Sequence, residues 1–344
     1  MNLDVLTPVG VPGWDRMVAD GKTNCIFHCA YWARVLQETY GYKPCYMTQI
    51  KENRFAALVP LMEVDSPITG RRGVSLPFSD FCEWIVPEDL PPRELLSSLL
   101  EFGRRRKWKY LITTGGLPPE KENPPAHLYF LHTLSLSPDE KTVYRKFSGP
   151  VRRNIGKAVR SGVRIRQGET LQDMREFHRL NCMSRKRHGL VPQPFRFFRN
   201  VFEIIITQGH GKLFLASFED QIIAGGVFLC SGDKAVFKYG ASDYAYQDLR
   251  ANNLLFWNAI VWCCKQGMRE LSFGKTEADN QGLRRFKAAW GANESTVLSH
   301  RYDFGKEGYV PNPTLVKGFH NRILGALPSG LLSAAGSLLY KHFG

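Results

Sequence analysis

Residues 234–257 read KAVFKYGASDYAYQDLRANNLLFW, and residues 269–292 read RELSFGKTEADNQGLRRFKAAWGA. The run Lys234–Ser242 is apolar and aromatic, as a strand requires. ANNLLFWNAIVWCCKQG, from Ala251, is an amphipathic helix pattern that Gly267 stops. RELSFGKT then resumes as a strand. Strand, helix and strand in that order predict an α/β unit.

Working upstream, KLFLASFED and QIIAGGVFLC flank Glu219 and Asp220, which predicts a tight hairpin. Helices are expected over VRRNIGKAVRSG, ending at Gly162, over Leu171 to about Arg187, and over Phe195–Gln208, with VRIRQ as a short strand between the first two. SPDEKTVYRKF opens a further helix, where Ser137 and Glu140 have the spacing of a capping box. The first half shows the same order. RFAALVPLME and GRRGVSLPFSDF precede a helix over PPRELLSSLLEFGRRR and a strand over KYLITTGG. The expectation is two tandem α/β units, each a mixed central sheet flanked by helices: residues 1–134, residues 135–310, and a tail over 311–344.

The chain has 344 residues and a formal charge of +14, from 46 basic and 32 acidic side chains. Such a balance favours an anionic partner, or serves only as a solvated basic surface. The eight cysteines form no CxxC pair and no Cys/His group with zinc spacing, so no metal is expected and the thiols read as reduced. MNLDVLTPVGVPGW has no basic, then apolar, leader pattern, and no run of 18 apolar residues occurs, so a cytoplasmic protein is expected. NRILGALPSGLLSAAGSLLYKHFG mixes leucines with Lys341 and His342; with Lys317 and Arg322 it suits an amphipathic element on the inner face of the plasma membrane. A terminal helix packed on the domain is the alternative.

Tyr239–Ser242 (YGAS), Leu254–Trp257 (LLFW), Phe273-Gly274 and Asn280–Ala292 (NQGLRRFKAAWGA) together resemble the Fem-type and BioF2-like branch of the GNAT acyltransferase superfamily. VRRNIGKAVRSGV, SRKRHGLVPQPFRFF and, in the first half, SLPFSDF add to the resemblance. A narrower likeness is to the FemAB-related proteins that accompany exopolysaccharide and exosortase gene clusters. The resemblance implies two GNAT-like domains, the first degenerate, and transfer of an acyl or aminoacyl group to an amine of a cell-envelope or exopolysaccharide precursor. It implies that Lys287 lies near the reacting carbonyl, where its charge would stabilise an oxyanion. It implies that Tyr239 faces the substrate; packing within the sheet is the plain alternative. Lys238, Arg153, Lys157, Arg185, Arg285 and Asn280 are the candidate substrate-binding residues. Arg153, Lys157 and Arg160 share one helix face, suited to a phosphate backbone or simply to water.

No cofactor is expected to be required. The donor is open among acyl-coenzyme A, acyl-carrier protein and aminoacyl-tRNA. A GNAT enzyme using coenzyme A carries a glycine-rich loop at a helix N-terminus. Here QDLRANNLLFW has no glycine, which weighs against coenzyme A in its standard pose. The acceptor is expected to be an anionic small molecule or lipid-linked; DNA is not expected, since no base-reading motif is visible. The competing reading is a non-catalytic module that holds an anionic glycolipid or nucleotide-sugar in the same cleft.

Overall fold

The computed structural model describes residues 3–21, 25–86, 91–116, 125–311, 336 and 338–342. The expected mixed α/β architecture is present. The strands used below are β1 (Tyr110–Thr114), β2 (His127–Ser135), β3 (Gly211–Phe218), β4 (Gln221–Ser231), β5 (Lys234–Ser242), β6 (Glu270–Glu277) and β7 (Asn293–Asp303). The helices are α1 (Gly149–Arg160), α2 (Leu171–Arg187), α3 (Ala251–Lys265) and α4 (Gln281–Ala288).

Among the described residues, twelve strands form one long sheet. Its spatial order is Lys43–Pro44, Met62–Val64, Arg72–Val74, β1, β7, β2, β6, β5, β4, β3 and Arg164–Gly168, with Gly308–Tyr309 against β7. The two halves share this sheet because β7 inserts between β1 and β2. Ser299–Asp303 pair antiparallel with β1, and Asn293–Ser299 pair antiparallel with β2. Asp4–Leu6, Tyr46–Lys51 and Arg54–Val59 make a separate three-stranded sheet.

The β3–β4 hairpin forms where expected. Glu219 and Asp220 have φ of 47° and 61°, the left-handed pair that a tight primed turn requires. α2 also spans the expected residues, and Thr170 and Asp173 complete its capping box. The helix before α1 corrects the sequence reading. It runs Glu140–Arg145, and its cap is Asp139, whose carboxylate accepts from the Lys141 and Thr142 amides. Ser137 instead accepts from the Asp139 amide at 3.2 Å. A carboxylate near the helix start outcompetes a hydroxyl further out.

The helices pack on opposite faces of the sheet. α1 and α3 bury Val151, Ile155, Leu255 and Ala259 against one face. α2 buries Met174, Phe177 and Leu180 on the other, in a cluster continuous with Trp32, Leu36 and Tyr46 of the first half. This shared core fixes the first half against the edge of β5.

Candidate active site

β5 and β6 are parallel neighbours, but they pair only from Lys234 to Val236 against Glu270 to Ser272. Beyond that point they diverge. Two irregularities sit at the split. The β4–β5 register pairs Val227 with Tyr239 and Phe228 with Phe237, so Lys238 is the extra residue of a bulge. A bulge re-aims its side chain. On β6, register with β2 shifts between Ser272 and Lys275. Gly274 there has φ of +71°, and a Cβ on it would stand 2.9 Å from an Asp80 oxygen. Glycine is needed at this position both for the backbone angle and for the approach of Asp80.

A cleft of about 770 Å³ opens at the split. Its walls come from the ends of α1 and α2, the outer part of β5, the first turn of α3, and α4. Lys238, Tyr239, Lys287 and Arg185 all line it.

Lys287, on α4, is only 4% exposed. Its ammonium donates to the Gly274 carbonyl at 2.7 Å and more weakly to the Lys275 carbonyl at 3.4 Å. Burial pulls its pKa down to about 8; Asp80 opposes that shift and Lys238 adds to it. Lys238 donates to Asp80 at 2.8 Å, and both side chains are largely buried. Its ammonium also stands 5.2 Å from the centre of the Phe27 ring and 5.3 Å from that of Tyr239, so aromatic faces replace part of its lost hydration. Lys275 is a third cation here. Its ammonium lies 4.6 Å over the Tyr129 ring, and burial lowers it to about 8 as well. Its amide donates to Asp80 at 3.3 Å. One carboxylate thus stands among three lysines, which leaves the split electropositive.

Asp80 comes from SLPFSDF in the first half. Leu76 and Phe78 in that loop have φ of 52° and 60°, costly angles for bulky side chains. Packing holds them: the Phe78 ring stacks near Tyr40 and Tyr42 at 5.2 and 6.5 Å. Neither Asp80 nor, in FGKT, Lys275 is marked by a local motif. The available signal was a lone acid in an apolar, proline-containing loop.

Tyr239 is 9% exposed and packs edge-on against Phe197 and Phe198. Its hydroxyl is enclosed beside Gln193, without a hydrogen bond of ordinary geometry. Desolvation pushes it well above the usual tyrosine range, so it stays neutral. Arg185 lines the cleft from the last turns of α2 with Asn181 and Ser184, and His188 follows just beyond the helix.

The other candidates lie elsewhere. Arg153 and Lys157 are exposed on α1 and outside the cleft lining, which takes Pro150, Val151 and Asn154 from that helix. Asn280 caps α4, accepting from the Leu283 amide at 3.1 Å. Arg285 is exposed and donates to Gln281 at 3.3 Å. The glycine-free turn into α3 has its own solution. Arg250 takes the left-handed angle, φ 57°, at the helix cap and lines the cleft.

Residues 145–288 match the family described as an acetyltransferase (GNAT) domain. The chain is 24% identical over 109 residues to a UDP-N-acetylmuramoylpentapeptide-lysine N(6)-alanyltransferase of Weissella viridescens, covering 32% of each chain. It is 29% identical over 103 residues to a lipid II:glycine glycyltransferase of Staphylococcus epidermidis, covering 28% of this chain and 23% of that one. The matched stretch is thus a third or less of those relatives' length. Among solved structures, FemX superposes with a TM-score of 0.68 at 13% identity, over 87% of this chain and 97% of that one. A tandem GNAT protein from the clavulanic acid biosynthesis pathway gives 0.56 at 10% identity, over 88% and 98%. Sequence and fold together bear out the resemblance of this chain to the Fem-type branch of the GNAT superfamily.

Proposed function

We propose that this protein transfers an acyl or aminoacyl group to an amine of a cell-envelope precursor, in the cleft where β5 and β6 diverge. The burial of Lys287 at that split, tied to the Gly274 carbonyl, carries the reading. The acceptor amine attacks the carbonyl carbon of an ester or thioester donor. A C–N bond forms, the C–O or C–S bond breaks, and the amine proton leaves with the departing oxygen or sulfur. An ammonium has three hydrogens, and carbonyls of Gly274 and Lys275 take two of them. The third is available to the oxyanion that develops on the donor carbonyl. Asp80 holds Lys238 and the Lys275 amide in place, and so sets the width of the split.

The relatives named above act on a muramoyl-pentapeptide lysine and on lipid II, which supports an envelope acceptor, anionic and in part lipid-linked. An exopolysaccharide precursor fits the same chemistry. For the donor, Arg185 and Arg250 at the cleft suit a phosphate-bearing carrier. The test is a Lys287→Met variant assayed with acyl-coenzyme A, acyl-carrier protein and aminoacyl-tRNA. Turnover should fall about 10²–10³-fold with KM little changed. Wild-type turnover in the variant, or no product from any donor with the native enzyme, would overturn the reading.

The amphipathic-tail expectation falls mainly outside the described residues. Near its end, Tyr340 and His342 dock on the first half. The Tyr42 hydroxyl donates to the Tyr340 carbonyl at 3.0 Å, and Arg72 donates to the His342 carbonyl at 2.7 Å. Leu338, beside them, is 65% exposed. Contact of the tail with a membrane surface is part of this proposal, at the inner face where a lipid-linked acceptor would be met. Full-length protein should float with anionic liposomes, and a chain ending at residue 311 should not; equal flotation would remove the idea.

A further inference from the structure

Two asparagines reach the cleft from opposite faces of the sheet. Asn181 lies on α2 and Asn253 in the first turn of α3. They are 5% and 6% exposed, and both line the cleft. Among the described residues neither side chain makes a hydrogen bond. The other buried carboxamides among the described residues are partnered. Asn200 donates to Thr39 at 2.9 Å and Gln193 to Tyr40 at 3.3 Å. Both residues are buried over most of their area yet keep their carboxamide atoms open to the cleft, where a ligand can pair them.

The chemistry of the partner follows from the side chains. An anionic group would meet the guanidinium groups of Arg185 and Arg250 at the cleft. A carboxamide is neutral and offers an N–H donor and a C=O acceptor together. A secondary amide presents the reverse set. The cleft edge of β5 repeats the same alternation, because β6 leaves it after Val236 and the backbone beyond Lys238 faces open space. We propose that Asn181 and Asn253 form a subsite that recognises a secondary amide of the ligand bound in this cleft. The inference rests on the cleft being the ligand site, as in the proposed function. Such an amide has two sources: the pantetheine arm of a donor, or the peptide of an acceptor.

The experiment uses the full chain, with coenzyme A and UDP-N-acetylmuramoyl-pentapeptide as separate probes, in calorimetric titration. Asn181→Leu and Asn253→Leu preserve shape and remove the amide. Each should weaken binding of one probe about tenfold or more, and the probe affected identifies the source. The melting temperature without ligand should be little changed, because neither carboxamide bonds to the rest of the protein. Serine variants at both positions provide a second, less bulky truncation. Wild-type affinity for both probes in the variants, no binding of either probe to the native chain, or a fall of several degrees in melting temperature in both variant pairs without loss of binding would overturn the proposal. Binding is read without turnover. Failure to find any transferase activity would therefore sink the proposed reaction and leave this subsite standing.

Discussion

Lys238 and Asp80, 158 positions apart in sequence, form a 2.8 Å ion pair that joins the two halves at the split of the sheet. The bulge in β5 aims the lysine, Gly274 makes room for the carboxylate, and three aromatic rings surround the ammonium. Removing one partner leaves the other buried and unpaired. Asp80→Ala should therefore cost about 3–5 kcal/mol, measured by urea denaturation. The Asp80→Ala/Lys238→Met double variant should recover most of that loss. A single-variant cost under about 1 kcal/mol would show that the pair is solvated.

Much of this arrangement could be read from sequence, and the reason for the remainder is physical. The β3–β4 hairpin was legible because two residues between alternating apolar runs specify a local turn. α2 was legible for the same local reason, with its cap and its apolar period. Lys287 and Tyr239 came from the resemblance, and Lys238 from its place beside Tyr239. Asp80 was not legible as a partner of Lys238, since ion pairing across the halves leaves no local pattern. Nor was the role of Asn280 settled by its motif: helix capping and ligand binding draw on the same residue types, and only the Leu283 amide decides between them. Arg153 and Lys157 show the converse. Their helical spacing was right, but spacing alone does not say which way a face points.

Lys287 gives a pH dependence whose sign is fixed. Its folded-state pKa is lowered to about 8 from 10.5. Between those values the unfolded chain holds a proton that the folded chain has released, so stability rises with pH across this window. Below about pH 8 the full penalty of burying the charge is present. Lys287→Met lacks the group, so its stability should rise less steeply over the same window. The difference between the two curves should change by up to about 3 kcal/mol from pH 8 to 10.5. Parallel curves would show that the ammonium stays solvated. Turnover should respond oppositely: with the charged form stabilising the oxyanion, kcat/KM declines above about pH 8.

Arg250 carries a different trade. It takes φ of 57° at the cap of α3, in the turn where a glycine would hold the same angle without strain. Its nearest acidic neighbour, Asp248, is 4.0 Å away and exposed, so that contact contributes little. Arg250→Gly should stabilise the protein by about 1 kcal/mol, seen as a higher urea midpoint with an unchanged slope. The same change removes a cation from the cleft wall. An anionic ligand should then bind more weakly, and the weakening should shrink as salt rises, because screening already reduces the arginine's contribution in the native protein. A gain in stability with no change in ligand binding would assign Arg250 to the turn alone. A loss of stability would mean that its side chain supports the fold in a way the left-handed angle does not reveal.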